Sequence, residues 1–564
     1  MTRYLPLVLL PFICAAAVFY PSSGAAARSV EVHEVAGQGV QRIPEGERVT
    51  VRGVVSAAYP GDSGLNGFFL QGRDPAPDGK PSGLFVYAPE LEGGKAEAVE
   101  PGKLLELTGY TGMFHGRPQL EGLQKIRLLG DRRVEPYPVR MPLRDPRRLE
   151  GVLVRLEQEL TVTDNRALAK YGSLELAAGG RAFRKTNFLP GEGPEDPSGR
   201  GGRIILDDGS YTGGPEPIPY LSGEKTRRVG ARIEKGLVGI ITRAFQQLRI
   251  HPAEQPRFER VNPRPGPLPE PDPDAVRVAV INADSYFLSL GERGARSRRQ
   301  LRIQRSKLLA LATGLKADLL VLLEMENRDG AAQDLVRRLR GESGNAWRLL
   351  RAGNPGDDAI RISLAYREDR VRPVAEAARD GRGVHTRPPL LAAFRPRGGG
   401  ETFAVAAAHF KSKGNCPEGR DPEREGGCWN RLRTRQARAL AGFIDSWREK
   451  NHVPVLVAGD LNAYGAEAPL GALRRAGFLD LLRKRVPWRD RYTYVYSGES
   501  GYLDHLLARP ELAEAAKEVF THAVNADEPP FLGYDQSGPA GRHYPDSPYR
   551  SSDHDPVAVD LGLR

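Results

Sequence analysis

Short apolar runs that end in a polar side chain recur through the C-terminal half of this 564-residue chain. Runs of roughly four to eight aliphatic or β-branched residues predict buried strands. Four of them end in a residue with metal- or proton-binding chemistry: Val276–Ile281 before Asn282, Leu319–Leu323 before Glu324, Phe403–Ala408 before His409, and Val453–Gly459 before Asp460. Helix-like segments separate these strands, so we expect a layered α/β structure whose strand ends meet along one edge.

The N-terminal half has a different pattern, made of shorter alternating segments separated by turn residues. Phe68–Leu70 and Leu84–Tyr87 are examples in residues 28–131, and Leu237–Ile241 is one in residues 132–261. Several short strands at this spacing predict a small β-barrel in each region. Two β domains are therefore expected ahead of the α/β domain.

A proline at every second position from Pro263 to Pro273 separates the two halves. Neither a helix nor a sheet interior accommodates this spacing, because proline lacks an amide donor and fixes φ. Residues 262–274 are therefore expected to be a stiff, extended spacer, and residues 275–564 a separate domain.

The first 27 residues have the features of a secretory signal. Arg3 supplies a positive start, Tyr4–Phe19 is apolar, and Ala25–Ala27 is a suitable cleavage site. The apolar run is shorter than the roughly 20 residues that a membrane span needs. We expect an exported protein, secreted or periplasmic, without stable membrane insertion after cleavage; an uncleaved anchor is the alternative.

Composition and charge bear on the partners. Forty per cent of the residues are apolar and 27% are charged, which is ordinary globular composition. The formal net charge is +11, and arginine suits phosphate through its planar fork, so polyanions fit as partners. A solvated basic surface explains the same charge, so charge alone does not choose, and nothing in the sequence indicates an oligomeric state.

Cys416 and Cys428 are the cysteines that remain after signal cleavage. Two cysteines in an exported protein typically form a disulfide, which here would close a loop rich in glycine, proline and charge. A zinc pair is the alternative, although no further cysteine is present to complete such a site.

Hard oxygen donors dominate the polar groups at the strand ends. The donors are Asn282, Glu324, Asp460 and, before the last strand, Asp553. Oxygen ligands of this kind suit Mg²⁺, Mn²⁺ or Ca²⁺. His409 and His554 supply general acid–base capacity beside them.

Further motifs complete an ordered set across the C-terminal half. They are Leu323-Glu324-Met325-Glu326-Asn327, Arg387-Pro388-Pro389, His409-Phe410-Lys411-Ser412-Lys413-Gly414, Cys428-Trp429-Asn430, Gly459-Asp460-Leu461-Asn462-Ala463-Tyr464, Tyr502-Leu503-Asp504-His505 and Ser552-Asp553-His554-Asp555-Pro556. In this order they resemble the DNase I-like endonuclease/exonuclease/phosphatase superfamily. More narrowly, the chain resembles its extracellular bacterial nuclease branch with N-terminal OB-like domains. Each motif alone is weak, whereas the ordered set is specific.

The resemblance implies a fold, a reaction and a substrate. The fold is a four-layer α/β sandwich preceded by two small OB-like β-barrels. The reaction is hydrolysis of phosphate esters with a divalent metal, Mg²⁺ first, with Mn²⁺ and Ca²⁺ as alternatives. The implied substrate is nucleic acid, with DNA first and RNA as an alternative.

The resemblance also implies a role for each matched residue. Asn282, Glu324 and Asp553 would bind the metal, and Asp460 and Asn462 would orient the attacking water and the phosphate. His554, paired with Asp504, would act on the water or the transition-state phosphate, and His409 would donate to the scissile phosphate or protonate the leaving oxygen. Tyr366 and Arg387 would contact phosphate. Ser285 departs from the pattern, which carries a second amide there.

Two surfaces and two other functions stay open. One surface consists of Phe68, Phe85, Tyr87, Arg181, Arg184, Lys185, Arg227 and Arg228, which could stack bases and bind phosphate or could be core aromatics and solvated arginines. The basic run Arg293–Arg305 could likewise follow a nucleic-acid backbone or form a solvated helix face. The other functions are hydrolysis of phospholipids or small phosphate esters, and non-catalytic nucleic-acid binding.

Overall fold

A computed structural model describes residues 26–91, 98–259, 261–328, 330–416, 426–535 and 546–563. The chain divides into two compact units. The first comprises Met1–Glu135 with Arg147–Leu153, and the second comprises Pro136–Pro146 with Val154–Arg564. Except for its last two residues, the predicted signal segment lies outside the described residues. No helix within the described ranges combines the length and apolar character needed to cross a membrane.

The first unit is a small β-barrel, as predicted. Its elements are β1 (Arg28–Val30), α1 (Val32–Ala36), β2 (Arg48–Tyr59), β3 (Gly67–Gly72), β4 (Gly83–Tyr87), β5 (Lys103–Phe114) and β6 (Arg117–Asp131). Strands β2, β3, β4, β6 and β5 pair in that order, and β5 also pairs with β2, which closes the sheet. Phe68, Leu70 and Leu107 fill the interior.

A second β-rich region follows and belongs to the second unit. Its strands are β7 (Tyr137–Val139), β8 (Leu153–Leu156), β9 (Leu160–Asp164), β10 (Ser173–Ala178), β11 (Arg203–Asp207), β12 (Arg232–Ile233), β13 (Leu237–Ala244), β14 (Gln247–Pro252) and β15 (Phe258–Glu259). They form one sheet in the order β15-β12-β9-β10-β11-β14-β13-β8-β7. The short helix α2 (Leu168–Tyr171) and the 3-10 turns Lys185–Asn187 and Arg200–Gly202 connect them.

Two further sheets build the α/β domain. The first contains β16 (Ala275–Tyr286), β17 (Leu319–Glu326), β18 (Trp347–Leu349), β19 (Ile360–Arg367), β29 (Ala516–Thr521) and β30 (Val557–Gly562), ordered β18-β19-β17-β16-β30-β29. The second contains β20 (Val371–Pro373), β21 (Ala378–Arg379), β22 (Leu390–Pro396), β23 (Phe403–His409), β24 (Val455–Asp460), β25 (Leu479–Asp480) and β28 (Asp504–Ala508), ordered β20-β22-β23-β24-β28-β25, with β21 on β22. A separate hairpin pairs β26 (Tyr494–Tyr496) with β27 (Glu499–Gly501).

The helices of this domain flank the two sheets. They are α3 (Arg298–Gly314), α4 (Ala331–Ser343), α5 (Asn430–Asn451), α6 (Ala468–Arg475), α7 (Leu481–Arg485) and α8 (Pro510–Glu514), with a 3-10 turn at Pro530–Leu532. Ser297 caps α3 by accepting from the Gln300 amide, which is typical of a serine at this position.

Alternation along the strands explains the layers. In β16, Val278 and Val280 enter a core shared by both sheets, whereas Ala279 and Ile281 pack under α3. Because both faces are covered, these strands are continuously apolar. Helices α5 and α6 cover the outer face of the second sheet in the same way. The predicted four-layer α/β sandwich is therefore confirmed.

The proline-rich segment 262–274 is extended, but it lies against the α/β domain instead of standing free. Leu268 is buried in the core under α3, and its amide donates to the Gly314 carbonyl at 2.9 Å. Arg277 donates to the Pro269 carbonyl at 2.7 Å. Alternating prolines fix the extended form, and these contacts fix its path.

Buried ion pairs join the second β region to the α/β domain. Arg181 donates to both oxygens of Asp527 at 2.7 and 3.0 Å, and Arg228 donates to Glu528 at 2.6 Å. Both carboxylates are fully buried. An apolar cluster of Phe183, Phe188, Tyr492 and Trp488 lies in the same unit. The two regions therefore form one compact unit.

For three arginines of the surface that the sequence left open on the β domains, these contacts favour a structural role. Arg181 and Arg228 form ion pairs with buried carboxylates, and Arg184 donates to Glu499 at 2.8 Å. In the first unit, Phe68 fills the barrel interior, whereas Phe85 is buried against Phe69, with Arg117 4.3 Å above its ring. Arg181, Arg184 and Arg228 therefore belong to the contacts between the second β region and the α/β domain, and Phe68 belongs to the barrel core.

Replacing Asp527 with asparagine is expected to lower the free energy of unfolding of the second unit by about 3–5 kcal/mol. The change leaves the buried Arg181 guanidinium without its counter-charge and Arg228 with Glu528 alone, while keeping the side-chain shape. Burial raises the pKa of Asp527, but Arg181 and Arg228 outweigh burial and leave the pKa below its usual value. Urea unfolding followed by tryptophan fluorescence measures the loss.

The pH dependence of this difference has a defined sign. Because the folded pKa lies below the unfolded value of about 3.9, the stabilisation is complete above that pH and is lost as the pH falls through the folded pKa. Asp369→Asn, which breaks an exposed pair with Arg367, is the matched control and should cost about 1 kcal/mol or less. Equal effects of the two substitutions at neutral pH would refute the buried-pair account.

Candidate active site

The strand ends of the second sheet bring three predicted site residues side by side. Strands β23 and β24 run parallel with His409 opposite Asp460, and β28 runs antiparallel to β24 with Asp504 opposite Asp460. Directly opposed residues lie on the same face of a sheet, so the three side chains project together. All three are buried.

His554 reaches the same place from the loop before β30. Its Nδ1 lies 2.8 Å from Asp504 Oδ2, and the Thr493 hydroxyl donates to that oxygen at 2.7 Å. An ionised carboxylate only accepts, so this geometry puts the proton on Nδ1 and leaves Nε2 3.9 Å from Asp460 Oδ2. The Tyr494 ring lies 4.7 Å from the imidazole, centroid to centroid, and restricts its rotation.

The loop that carries His554 is fixed by Asn525 and Asp555. Asn525 Nδ2 donates to the His554 carbonyl at 2.7 Å, and Asp555 Oδ1 accepts from the amides of Asn525 and Ala526 at 2.6 and 3.0 Å. Asp527, with its ion pairs to the second β region, follows in the same segment. The second β region therefore supports the backbone behind His554.

Asp460 occupies the centre of the polar cluster. Its Oδ1 accepts from the Asn462 amide at 2.8 Å, and its Oδ2 lies 3.3 Å from Asn462 Nδ2 and 3.4 Å from Asn282 Nδ2. His409 Nε2 lies 3.5 Å from the same oxygen. Asp460 thus links residues from both sheets.

A second group of polar and charged side chains lies around Glu324, near the end of β17. Ser285 donates to Glu324 Oε2 at 2.9 Å and accepts from Arg293 Nε at 2.8 Å, and Arg293 lies 3.6 Å from the same carboxylate. Burial raises the pKa of Asp284, and the charges of Asp553 and Glu324 raise it further. The charges of Asp553 and Glu324 therefore act on Asp284 and oppose its ionisation.

Asp284 and Arg293 are members of this cluster that sequence reasoning missed. The signal for Asp284 was present, because it stands two residues after Asn282 at the end of an extended strand. Arg293 was visible only as part of a basic run. Ser285, the departure from the family pattern, hydrogen-bonds to Glu324 where an amide was expected.

Left-handed backbone recurs at the ends of these strands. Positive φ values occur at Asp284 (47°), Ser285 (58°), Glu324 (58°) and Asn462 (47°). Non-glycine residues adopt this region at an energetic cost that surrounding contacts must offset. Here the bends turn polar side chains out of the strand direction and into one cluster.

The charge states of the central groups differ because their surroundings differ. Burial lowers the pKa of His554, but Asp504 and Asp460 outweigh burial and raise it well above the usual value. Burial, with Arg387 nearby, lowers the pKa of His409 well below its usual value. Burial, followed by the charge of Asp504, raises the pKa of Asp460 to about 7. At neutral pH the two histidines therefore carry different charges.

Arg387 lies near the site, but several of its donors are used within the protein. Its Nε donates to the His409 carbonyl at 3.2 Å, another nitrogen donates to the Phe410 carbonyl, and a third donates to Asp358 at 3.1 Å. It therefore braces the backbone that follows β23, while its charge still acts on His409.

Tyr366 does not lie in the site, which corrects its assignment as a phosphate contact. It pairs with Leu319, the first residue of β17, whereas Glu324 lies five residues further along that strand, about 16 Å at the rise of a strand. The Tyr366 ring packs 5.8 Å from the Phe394 ring. Because β19 runs antiparallel to β17, its first residues, Ile360 and Arg361, lie at the Glu324 end.

The donors present fit a divalent cation. Within the described ranges, Asp460, Asp504 and His554 bring ligand-type atoms within 4.8 Å of one another, but His554 already pairs with Asp504, so the two carboxylates are the oxygen donors of this group. Glu324, with Asp284 and Asp553 close by, offers hard carboxylate oxygens whose mutual repulsion a cation would offset. The side-chain oxygen Oδ1 of Asn282 accepts from the Asp284 backbone amide at 3.1 Å, while its Nδ2 faces Asp460, so this residue connects the two groups.

Cys416 and Cys428 form the expected disulfide, with 5.3 Å between their Cα atoms. Most of the loop that it closes, residues 417–425, lies outside the described residues. Trp429 and helix α5 follow directly, and Arg433 of α5 donates to the Cys428 carbonyl at 2.7 Å. The disulfide is thus anchored to the helix layer over the second sheet.

Residues 281–554 match the model of the Endonuclease/Exonuclease/phosphatase family. That span contains all the site residues from Asn282 to His554. The family comprises phosphoester hydrolases, both nucleases and phosphatases, and is generally dependent on divalent metal. The α/β domain is therefore a hydrolase that acts on phosphate ester bonds.

Solved structures that are similar to this chain are distant in sequence. The human Nocturnin catalytic domain with bound sulfate anion is 16% identical and covers 53% of this chain and 96% of its own, with a TM-score of 0.34. TDP2 of D. rerio complexed with single strand DNA product is 16% identical and covers 51% and 98%, with a TM-score of 0.34. A mannosyl-6-phosphatase of Bacteroides thetaiotaomicron VPI-5482 is 14% identical and covers 51% and 99%, with a TM-score of 0.34. A search of curated protein sequences finds no match to the chain.

Proposed function

We propose that this phosphoester hydrolase is an exported, divalent-metal-dependent endonuclease that hydrolyses the phosphodiester bonds of DNA. The observation that carries the proposal is the convergence of Asp460, Asp504 and His554 beside the acids around Glu324. This arrangement supplies a cation site, a proton acceptor and a charged imidazole within one buried cluster. Each of these three components lowers the barrier to hydrolysis of a phosphate diester.

Each of these residues has a different role in the proposed reaction, according to its position. A divalent cation held by Glu324 and the neighbouring acids would polarise the phosphate and offset its charge. Asp460, between His409 and His554, is placed to accept the proton of the attacking water, and Asn462 to orient that water. His554, held by Asp504, stabilises the extra negative charge on the phosphoryl oxygens. His409 donates a hydrogen bond to the phosphate as a neutral imidazole.

Two features support a long nucleic-acid substrate and export. The positive formal charge of +11 favours association with a polyanion. The signal-like sequence at residues 1–27 and the Cys416–Cys428 disulfide fit passage into an oxidising compartment. The two β regions, which we assign to OB-like barrels, would then accompany the nuclease domain outside the cytoplasm.

The mature protein is expected to nick covalently closed plasmid DNA with Mg²⁺ or Mn²⁺, and a chelator should abolish the nicking. A closed circle has no ends, so its conversion to the open form reports endonuclease action specifically. Heat-denatured protein at the same concentration is the control. Hydrolysis of small phosphate esters or phospholipid, with the circle intact under every divalent metal, would replace the nuclease assignment.

A further inference from the structure

The α/β domain contains a cavity of about 420 Å³ that the catalytic residues do not line. It opens where the chain leaves the first sheet after β18. Leu350 still donates to the Leu364 carbonyl of β19, but Ala352 then bridges to Ala377 beside the second sheet. On the side away from β17, the part of β19 that contains Arg361 and Ser363 therefore borders a space instead of a strand.

Three arginines and no acidic side chain of the described residues line this cavity. Arg351 is exposed at its rim, Arg361 borders it from β19, and Arg379 borders it from β21. Arg379 donates to the carbonyls of Pro388 and Ile362, each at 3.0 Å, and its buried Nε has no hydrogen-bond partner within the described ranges. Burial, followed by the charge of Arg361, lowers the pKa of Arg379 to about 10.

Guanidinium groups gathered in this way are the chemistry of an oxyanion site. Like charges that share a partly desolvated space repel one another, and an anion bound between them replaces this repulsion with attraction. The planar guanidinium fork matches phosphate oxygens in particular.

The cavity has the position and size for a phosphate that carries a sugar. Arg361 stands opposite Met325, the residue after Glu324, so the cavity borders the strand next to the one that ends in the active site. Its volume exceeds that of a free phosphate ion, and Leu349, Leu350, Pro355 and Leu390 supply an apolar wall. Such a wall with a few convergent charges is typical of a ligand site.

We propose that Arg351, Arg361 and Arg379 form a second phosphate site, which binds a phosphate of the nucleic-acid chain other than the one being hydrolysed. This proposal rests on the proposed function, because the phosphate is taken to belong to the substrate. It explains how the domain would distinguish a polynucleotide from a small diester. A free phosphate ion is the other source of the same ligand.

The test compares Arg351→Gln and Arg379→Gln with wild type in two assays. Inorganic phosphate is titrated by calorimetry, and cleavage kinetics are measured on a single-stranded oligonucleotide and on bis(para-nitrophenyl) phosphate. We expect both variants to lose phosphate binding. Their KM should rise about tenfold for the oligonucleotide and stay unchanged for bis(para-nitrophenyl) phosphate. The plot of log(kcat/KM) against log[salt] should become shallower by about 0.7 for each substrate phosphate that an arginine no longer neutralises.

Arg372→Gln is the matched control, because Arg372 is exposed on β20 at the end of the second sheet away from His409. Abolished phosphate binding with an unchanged oligonucleotide KM would identify free phosphate as the ligand. Variants that match the control in both assays would overturn the site. If wild type cleaves neither the oligonucleotide nor the closed circle, the nuclease assignment fails, while calorimetry still tests the cavity. Exposed Arg351 keeps the test valid if Arg379→Gln does not fold.

Discussion

Replacing His554 with alanine is expected to lower kcat for phosphodiester hydrolysis by about 10² to 10³-fold, with nucleic-acid binding retained. His554 is held by Asp504 at 2.8 Å, and its imidazolium would lie where charge develops on the phosphoryl oxygens. Its loss removes an interaction that strengthens in the transition state. Binding of the chain depends on many other cationic groups, so KM and the dissociation constant should change little.

Single-turnover cleavage of a labelled oligonucleotide measures the His554 effect, and fluorescence anisotropy measures binding. His33→Ala, a change of the same kind on α1 of the first unit, is the control for composition and handling. Asp504→Asn should lose less than His554→Ala, because the imidazole remains but its orientation and charge are no longer fixed. Full activity of His554→Ala would remove this residue from the mechanism.

Replacing Glu324 with glutamine is expected to weaken divalent-metal binding and to lower kcat/KM at limiting metal by at least about 100-fold. Glutamine keeps the size of the side chain and an oxygen for the Ser285 hydroxyl, which donates to Glu324 at 2.9 Å. It removes the negative charge that a cation requires. Loss of a supporting group around a metal typically costs about 10–100-fold, so loss of a direct ligand should cost at least the upper value.

Calorimetric titration with Mn²⁺ measures the Glu324 effect directly, and raising the metal concentration should restore part of the activity. Glu368→Gln, which breaks a surface pair with Arg348, is the matched control and should leave metal binding unchanged. Equal Mn²⁺ affinity of wild type and Glu324→Gln would show that this carboxylate is not a ligand. A loss of folding, checked by circular dichroism, would be distinguished from a loss of binding.

The catalytic core was accessible from sequence because strand period and strand ends are local signals. Val278 and Val280 alternate with Ala279 and Ile281, and two-sided burial makes the run recognisable without its partners. A polar residue directly after such a run lies at a sheet edge. For this reason His409 and Asp460, although far apart in the chain, were predicted together, and the structure pairs them in register.

What sequence could not supply was the partner of each charged side chain. Arg181 and Asp527 are separated by 346 positions, and nothing local marks either as half of a buried pair. A solvent-facing arginine and a buried one have the same local pattern. Tyr366 was assigned to the site from its position in the family's motif order. The direction of β19, which sequence does not give, places Tyr366 opposite Leu319, at the end of β17 away from Glu324.

The hydrogen bonds that hold the loop of His554 could not be predicted from the sequence either. Asn525 lies in an irregular segment, and only the fold shows that it donates to the His554 carbonyl. The same segment contains Asp527, so the second β region contributes to the rigidity of the catalytic loop. The accessory region is therefore part of the architecture of the active site.

A crystal grown with Mn²⁺ and a nucleoside monophosphate would test the central claim most directly, through the anomalous signal of the metal. The account predicts a peak about 2.0–2.6 Å from a Glu324 carboxylate oxygen. It also predicts a phosphate on that metal within hydrogen-bonding distance of His409 and His554. A metal bound elsewhere, with the Glu324 carboxylate free of it and no phosphate beside these histidines, would contradict the account.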